Sequence, residues 1–287
     1  MSDPWALDRP TILAVSGGRT SMFMLRRYLD RHDGRLPEHA VPVFCNTGKE
    51  HPATLDFVQR CSVEWGCRIV WLEYQDAEQP ADRWQEVSHN SAARNGEPFA
   101  AVIARKQFPP NQVTRFCTTE LKVHCTHRWA RAAWPYGAGR YVKAVGFRAD
   151  EPARVARAKH RCGQGKDAWD LCWPLFDAGI RKPAILAWWD AQPFNLDIPE
   201  RLGNCDLCFL KATKKLGQNI EENPAIADWW IEQQRRTNAY FRSPEKSDRP
   251  GYDHLRAWAL SDVPKPWKQG DLIDDLDAAT FECACTD

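Results

Sequence analysis

The segment Ser16–Ser21 (SGGRTS) carries the residue types and the spacing that best suit the binding of an anionic group. It follows a short apolar run, Thr11–Val15, and precedes a stretch whose apolar residues recur at helical spacing. A strand that passes into a helix through a glycine turn offers backbone N–H groups and the positive helix end to a phosphate. The segment lacks the GxxxxGK[ST] spacing of a Walker A loop. An ordinary βα turn with a Ser/Thr cap is the alternative interpretation.

Cysteine is the second residue type that could carry chemistry. The chain has 11 cysteines, and an odd number without a secretion signal favours metal, cluster or thiol chemistry over disulfides. Cys205 and Cys208 form a C-x-x-C pair, and two thiolates at that spacing can bind one metal ion or cluster. Cys283 and Cys285 lie close to the C-terminus. Four unrelated reduced thiols are the alternative.

Five segments, in this order, resemble the motifs of the phosphoadenosine phosphosulfate reductase family, within the ATP-pyrophosphatase or adenine nucleotide α-hydrolase-like superfamily. Ser16–Ser21 is similar to the SGGxDS pyrophosphate loop (PP-loop), with Thr20 in place of the usual Asp. The other four segments are similar to the motifs (D/N)TG…PET, RxCxxxxK, GxRxxE and (Y/W)PLxD, and they are Asn46–Thr54, Arg115–Lys122, Gly146–Glu151 and Trp173–Asp177. The resemblance spans about residues 11–210.

The resemblance implies that the chain binds an adenine nucleotide, either ATP or a sulfonucleotide, with Mg²⁺ as a further candidate cofactor. The implied nucleotide-binding residues are Ser16, Gly17, Gly18, Arg19, Thr20, Ser21, Asn46, Thr47, Gly48, Gly146 and Glu151. Lys122 and Arg148 are the implied catalytic cations, because a nucleotide phosphate needs positive side chains that neutralise it. Arg154 lies in the same segment as Arg148 and is a further candidate. Surface ion pairs are the alternative for each of these charges.

The same resemblance implies a [4Fe–4S] cluster on Cys117, Cys205 and Cys208, with zinc as the second choice. Cluster-containing sulfonucleotide reductases have a Cys-Cys pair where this chain has Cys117-Thr118. The Cys-Thr pattern is similar to that of DNA-phosphorothioation sulfur enzymes, whose fourth ligand comes from elsewhere. Cys283 is the preferred fourth ligand, with Cys285 as the alternative.

Cys283 is also a candidate catalytic nucleophile. Glu282-Cys283 matches the first two residues of the C-terminal Glu-Cys-Gly-Leu-His element of the reductases, whereas the following residues do not match.

Three functions remain open. A sulfonucleotide reductase would use a thiolate and a thiol reductant. A sulfurtransferase of the ATP-pyrophosphatase type would take sulfur from a donor and modify a nucleic acid, by DNA phosphorothioation or tRNA thiolation. The segment Trp230–Arg242, with interleaved Arg and aromatic residues, would suit nucleic-acid contact, although an ordinary amphipathic helix is the preferred interpretation. The third possible function is that of a regulatory protein that binds a nucleotide without catalysing a reaction.

Composition sets outer limits on these functions. Lys and Arg number 39 and Asp and Glu number 38, so the net charge is +1 and no global basic field indicates nucleic acid. The apolar runs are too short to span a bilayer. The N-terminal segment MSDPWALDRP lacks a signal-peptide pattern, so we expect a cytoplasmic protein. The oligomeric state stays open.

The pattern of elements predicts an α/β fold. Short apolar runs predicted as strands alternate with helical patterns, which indicates a parallel, Rossmann-like (HUP-type) sheet flanked by helices. The predicted strands are Thr11–Val15, Val41–Cys45, Arg68–Tyr74 and Arg140–Val145, and residues 146–157 are predicted as a loop. Trp173-Pro174-Leu175 is predicted as a short extended segment, and Lys182–Asp190 and Pro224–Phe241 are predicted as helices. We expect a nucleotide-binding PP-loop domain over residues 1–215. A helical or irregular C-terminal extension over 216–287 is expected to fold back on the active site.

Overall fold

A six-stranded sheet forms the centre of the molecule. The computed structural model describes residues 3–162, 165, 167–203, 205–242 and 251–262. The strands are β1 (Thr11–Val15), β2 (Ala40–Asn46), β3 (Val70–Glu73), β4 (Gln85–Val87), β5 (Tyr141–Val145) and β6 (Trp169–Cys172). Their order is β4-β3-β2-β1-β5-β6. All neighbouring pairs are parallel except β3 and β4. The predicted α/β class is therefore confirmed.

The register of the strands decides which loops meet. Thr11 in β1 lies opposite Ala40 in β2 on one side and opposite Val142 in β5 on the other. Parallel neighbours in this register end at the same edge of the sheet. The loops after β1, β2 and β5 therefore emerge side by side, at the carboxyl edge where open α/β sheets bind ligands.

Helices cover both faces of the sheet and form the C-terminal part of the described chain. Their bounds are α1 (Arg19–Arg31), α2 (Pro52–Glu64), α3 (Glu97–Lys106), α4 (Phe116–Thr118), α5 (Cys125–Ala133), α6 (Pro152–Cys162), α7 (Pro174–Asp177), α8 (Lys182–Asp190), α9 (Thr213–Glu222), α10 (Asp228–Thr237) and α11 (Tyr252–Leu260). A π-helical segment, Thr119–His124, joins α4 to α5. None of the described helices combines the length and the apolar character needed to cross a membrane.

Three apolar clusters hold these layers together. On one face, α1, α2 and α8 pack against the sheet, and Leu25 and Trp189 are fully buried there. On the other face, Trp129 of α5 packs over Ile12. The third cluster joins the C-terminal helices α9–α11 to α3 and to the segment after it, around Trp230 and Phe99. The C-terminal helices thus share a core with residues of the preceding chain.

Several elements differ from the sequence-based predictions. Residues predicted as a loop form α6, because Ala and Arg are strong helix formers and Pro152 occupies its first turn. The edge strand β4 is antiparallel and was not predicted. Trp173-Pro174-Leu175, predicted as extended, follows β6 and enters α7. The helix predicted over Pro224–Phe241 ends at Thr237, where Asn238 adopts a left-handed conformation.

Candidate nucleotide and cysteine site

The segment Ser16–Ser21 forms a tight turn between β1 and α1. The backbone N–H of Ser16 donates to Oγ of Ser21 at 3.0 Å, and that hydroxyl donates to the carbonyl of Gly18 at 3.2 Å. Gly17 has a φ of +81°. A Cβ on Gly17 would lie 2.6 Å from Cγ2 of Thr54 in α2. Glycine is therefore required here by backbone conformation and by packing against α2, in addition to any approach of a ligand.

Arg19, predicted to face the phosphate, is engaged with protein acceptors. Its Nε donates to Oδ1 of Asn195 at 2.8 Å, and its guanidinium also donates to the carbonyl of Leu196. The carbonyl of Arg19 accepts the indole N–H of Trp189 at 2.8 Å. Through these hydrogen bonds, Arg19 connects the start of α1 to α8 and to the loop that follows α8.

The loop after β5 brings two arginines beside the turn. Arg148 lies with a guanidinium nitrogen 3.5 Å from Oγ1 of Thr20. The carboxylate of Glu151 accepts the backbone N–H of Arg148 at 2.9 Å and also bonds the guanidinium of Arg154. All three charged residues are buried. Glu151 therefore orients both arginines from within the protein.

Gly146 begins this loop. A Cβ on Gly146 would lie 3.5 Å from Cα of Ser21, which is ordinary van der Waals contact. The structure thus brings Gly146, Arg148 and Glu151 together with the Ser16–Ser21 turn, as the motifs predict.

The loop after β2 is built on hydrogen bonds within the protein. The Asn46 amide donates to Oε1 of Glu73 at 2.6 Å and to the carbonyl of Ala93 at 2.8 Å. The pKa of Glu73 is raised by burial. Thr47 donates its backbone N–H and its hydroxyl to Oε2 of Glu50, at 2.9 and 2.8 Å. These side chains shape the loop, and any contact that they make with a nucleotide stays a prediction.

Two glycines allow this loop to approach the next one. Gly48 has a φ of +79°, and a Cβ on it would lie 2.9 Å from the backbone nitrogen of Gly96. A Cβ on Gly96 would lie 2.6 Å from the indole of Trp229 in α10. The loop after β2 is thereby packed closely against the C-terminal helices.

A cavity of about 660 Å³ opens beside Ser16 on the face of the sheet, between α5 and α6. Its floor is apolar and includes Ile12, Ala14 and Val43. The lining side chains that carry or can acquire positive charge are Arg115, Lys122, His124, Lys143, Arg154, Arg157 and Arg161. Within the described part of the chain, Asp167 is the one carboxylate of the lining. This volume and this charge suit a nucleotide-sized anion.

Three of the predicted cysteine ligands lie around one small space. Cys117, Cys205 and Cys208 all line a cavity of about 20 Å³, and Sγ of Cys205 is 3.5 Å from Oγ1 of Thr47. Burial, followed by the charges of Glu50 and Cys208, raises the pKa of the Cys205 thiol well above its ordinary value. The resemblance implies that Cys117 meets the C-x-x-C pair, and the fold brings the three side chains to one cavity.

The thiols are the right donor type for an iron–sulfur cluster or zinc, but their present arrangement is not a metal site. Over the described residues, no group of three or more His, Cys, Asp or Glu is arranged to hold a metal ion. The cavity has room for about one water molecule. A cluster would therefore require the thiols and their surroundings to rearrange. The proposed fourth ligands, Cys283 and Cys285, lie outside the described residues.

The C-x-x-C loop is fixed through the residue that follows its first cysteine. The Asp206 carboxylate pairs with Nζ of Lys49 at 2.8 Å and accepts the indole N–H of Trp230 at 2.8 Å. The backbone N–H of Asp206 donates to the carbonyl of Lys49 at 2.8 Å. The loop after β2 and the C-terminal helices therefore both hold the two cysteines in place.

Lys122 lies on the wall between the two cavities. Its side chain lines the large cavity and also the small one around the cysteines. Lys122 belongs to the π-helical segment Thr119–His124, and such segments occur frequently at functional sites. Leu210 also lines both cavities, so Lys122 is the charged side chain among the described residues that the thiol cavity and the nucleotide-sized cavity share.

Several residues of the large cavity are absent from the predicted site. Cys45 lines the cavity, with Sγ 3.2 Å from Oγ1 of Thr126. Lys143 faces the same space from the middle of β5. Arg157 and Arg161 of α6 line it as well. Their spacing from Arg154 was a usable signal, because residues three and seven apart share one helix face.

The predicted nucleic-acid segment Trp230–Arg242 is largely structural. Arg242 is buried, and its guanidinium donates to the carbonyls of Phe209 and Lys211 at 3.2 and 3.0 Å. Phe241 is also buried in the C-terminal core. The helix ends at Thr237, so Phe241 and Arg242 do not share a helix face with Arg235 and Arg236, and the nucleic-acid alternative for this segment stays a prediction.

Comparison with known proteins gives one clear relationship. No family model matches the chain. A solved structure, the U34-tRNA thiolase NcsA from Methanococcus maripaludis with its [4Fe-4S] cluster, covers 93% of this chain and 78% of its own, with 15% identity and a TM-score of 0.33. A likeness that low transfers nothing to this chain, and membership of the phosphoadenosine phosphosulfate reductase family stays a prediction from the motifs.

The relationship in sequence is to a phage protein. Over 220 residues, covering 75% of this chain and 71% of the relative, the sequence is 32% identical to the uncharacterized nin region protein ORF290 of Escherichia phage lambda. The chain belongs to the family of that protein.

Proposed function

We propose that this protein is an adenine-nucleotide-dependent enzyme of sulfur chemistry, of the ATP-pyrophosphatase or phosphoadenosine phosphosulfate reductase type. The observation that carries the proposal is Lys122, which lines both the nucleotide-sized cavity and the cavity of the three cysteines. Sulfur transfer or reduction requires a thiol or sulfide carrier next to the activated group. An ammonium between the two would stabilise the negative charge that develops there.

The nucleotide phosphates would bind at the Ser16–Ser21 turn, with Mg²⁺ as counter-ion. The backbone N–H groups at the start of α1 and the nearby Arg148 favour negative charge at this point. Glu151 keeps Arg148 and Arg154 oriented before any ligand arrives, so little reorganisation is needed on binding. The base would occupy the part of the large cavity that adjoins Ser16 and Ala14.

Cys117, Cys205 and Cys208 would hold a [4Fe–4S] cluster, or zinc as the second choice, with Cys283 or Cys285 as fourth ligand. A bound cluster supplies an iron that can carry sulfur or exchange electrons. The raised pKa of Cys205 keeps this thiol protonated in the metal-free protein. Metal binding would therefore release a proton from it.

We favour the sulfurtransferase form over the sulfonucleotide reductase. Cys205 and Cys208 lie in a loop that is fixed by Lys49 and Trp230, as suits metal ligands. The tail also lacks the complete Glu-Cys-Gly-Leu-His element that would supply the nucleophile of a reductase. A sulfur donor and a nucleic-acid acceptor would then be the further partners.

The test is anaerobic purification followed by two assays. Iron, sulfide and zinc contents with an ultraviolet–visible spectrum identify the bound group. Incubation with ATP is expected to give AMP and pyrophosphate, whereas a reductase would release sulfite from a sulfonucleotide with a thiol reductant. Lys122→Met should abolish turnover, and Arg68→Gln, a change at a side chain that is 80% exposed, should not. Absence of nucleotide binding and of both reactions would overturn the proposal.

A further inference from the structure

The large cavity extends well beyond the turn that would bind phosphate. Lys143 of β5 lies opposite Ile12 of β1, and Ser16 is four residues further along the chain. At the rise of a β-strand, the Lys143 position is about 13 Å from the turn. The cavity therefore has a second positively charged region at a distance from the Ser16–Ser21 turn.

Lys143 forms no ion pair with the residues that the structure describes. Its Nζ lies 5.8 Å from the centroid of the Trp169 ring, and the Cys45 thiol and the Asp167 carboxylate are nearby groups whose negative charge favours the protonated amine. Burial lowers the pKa of Lys143. Placing a lysine in the middle of a sheet costs free energy unless an anion compensates it, so the position points to a negatively charged ligand.

The α6 helix continues this positive region to the surface. Arg157 and Arg161 line the cavity and are exposed to solvent. Arg157 forms no ion pair with any residue in the described ranges, and Nε of Arg161 is 4.0 Å from the Asp167 carboxylate. The two arginines are one helical turn apart, about 6 Å along the axis. A ligand that meets both must extend out of the cavity.

We propose that α6 and the floor of the cavity bind a single-stranded nucleic acid, with one nucleoside inside the cavity and the adjoining phosphates on Arg157, Arg161 and Lys143. The proposal rests on the proposed function in that this strand would be the acceptor of the sulfur chemistry. A volume of about 660 Å³ accommodates a nucleoside, and Trp169 offers an aromatic surface beside it. A base can enter only from an unpaired strand, so duplex is excluded.

A free mononucleotide would contact fewer of these positively charged side chains than a nucleic-acid strand would. A nucleotide with its phosphates at the Ser16–Ser21 turn would not reach the exposed Arg157, and Arg161 would have only the Asp167 carboxylate, 4.0 Å away. The net charge of the chain is only +1, so this row is a local concentration of positive charge and is not part of a general basic surface.

The test is fluorescence anisotropy with 12-nucleotide single strands of DNA and RNA over a series of salt concentrations. The double variant Arg157→Gln/Arg161→Gln should weaken binding at least tenfold and reduce the slope of log K against log salt by about 1.5 to 2. Lys143→Met should weaken binding with melting temperature unchanged. The matched control is Lys159→Gln on the same helix, whose ammonium lies over the rings of Trp173 and Phe176 outside the cavity. It should change affinity less than twofold.

The outcomes separate this proposal from the function above. Equal binding of duplex and single strand, or equal loss in the Lys159 control, would overturn it as general electrostatic attraction. Binding of AMP that depends on Arg157 and Arg161, without binding of any strand, would overturn it in favour of a small-molecule site. ATP affinity is measured in parallel: if ATP binds and strands do not, the acceptor site is wrong and the nucleotide site stands.

Discussion

Lys49 and Asp206 form a buried ion pair, with Nζ 2.8 Å from Oδ2 and side chains only 10% and 13% exposed. The pair joins the loop after β2 to the C-x-x-C loop, 157 positions further along the chain. Asp206 lies between the candidate metal ligands Cys205 and Cys208. The ion pair therefore fixes their loop to the loop after β2, at the carboxyl edge of the sheet.

The first prediction concerns this pair. Asp206→Asn leaves the Lys49 ammonium buried without its counter-charge, and the expected loss is about 3 kcal/mol in the free energy of unfolding. Denaturant unfolding measures it. The control is Asp228→Asn, which removes an ion pair with Arg256 whose side chains are 59% and 37% exposed. That change should cost under about 1 kcal/mol, and equal losses would contradict the prediction.

The second prediction concerns the turn between β1 and α1. Gly17→Ala places a Cβ 2.6 Å from Thr54 Cγ2 at a positive φ, and Gly34→Ala adds a Cβ at the same φ with nothing within 4 Å. The alanine at position 17 should destabilise the protein by about 1–3 kcal/mol more than the alanine at position 34. Thermal unfolding at matched conditions compares them.

A second-site change makes this prediction sharper. Thr54→Ser removes the methyl group that the new Cβ would meet, so the double variant Gly17→Ala/Thr54→Ser should recover part of the loss. If Thr54→Ser gives no recovery, the close contact with α2 is not the cause.

The third prediction concerns Glu151. Glu151→Gln removes the charge that orients Arg148 and Arg154, so we expect ATP affinity to fall about tenfold, which corresponds to about 1.4 kcal/mol. Calorimetry measures the dissociation constant. Asp150→Asn is the matched control, because Asp150 contacts only Arg148 of the two, at 3.1 Å, and is partly exposed. A larger effect at position 150 than at 151 would refute the assignment of Glu151.

The fourth prediction concerns the reactivity of Cys45. A hydrogen bond from Cys125, followed by one from Thr126 and the charges of Lys143 and Lys122, lowers the pKa of the Cys45 thiol. Burial raises the pKa of Cys67 to about 11. A lowered pKa means more thiolate at neutral pH, so alkylation of Cys45 by iodoacetamide should reach its plateau at lower pH than alkylation of Cys67.

Mass spectrometry of the labelled peptides over a pH series assigns each rate. Bound nucleotide should protect Cys45, which lines the large cavity, and leave Cys67 unchanged. Labelling of both thiols with the same pH profile would show that the surroundings of Cys45 do not activate it.

Sequence reasoning succeeded where local pattern decides the structure. The strand Thr11–Val15 and the helix Lys182–Asp190 have the predicted bounds, because apolar runs and a proline in the first helical turn are local signals. It failed for α6, whose alternation of Ala with charged residues carries little apolar periodicity. The convergence of Cys117, Cys205 and Cys208 on one cavity depends on packing between α3, the π-helical segment and the C-terminal helices, which no local pattern encodes.

The charged residues show the same division. Arg148 and Glu151 could be assigned from a motif. Arg19 belonged to the same kind of motif, but its partners Asn195 and Leu196 come from a distant loop. These two acceptors bind the guanidinium that the motif predicts to face a phosphate, and their position beside it could be found only from the three-dimensional structure.

The π-helical segment gives the spacing between Cys117 and Lys122 a geometrical meaning. In an α-helix, residues five apart are separated by about 140° around the axis. The wider winding of a π turn brings residues five apart nearly into line, and both of these side chains reach the small cavity. Removing one residue between them would restore α-helical winding and, because residues four apart share one helix face, would leave the ammonium on the side of the thiol. The π turn therefore holds one more residue between these two side chains than an α-helix would and still brings both to the small cavity.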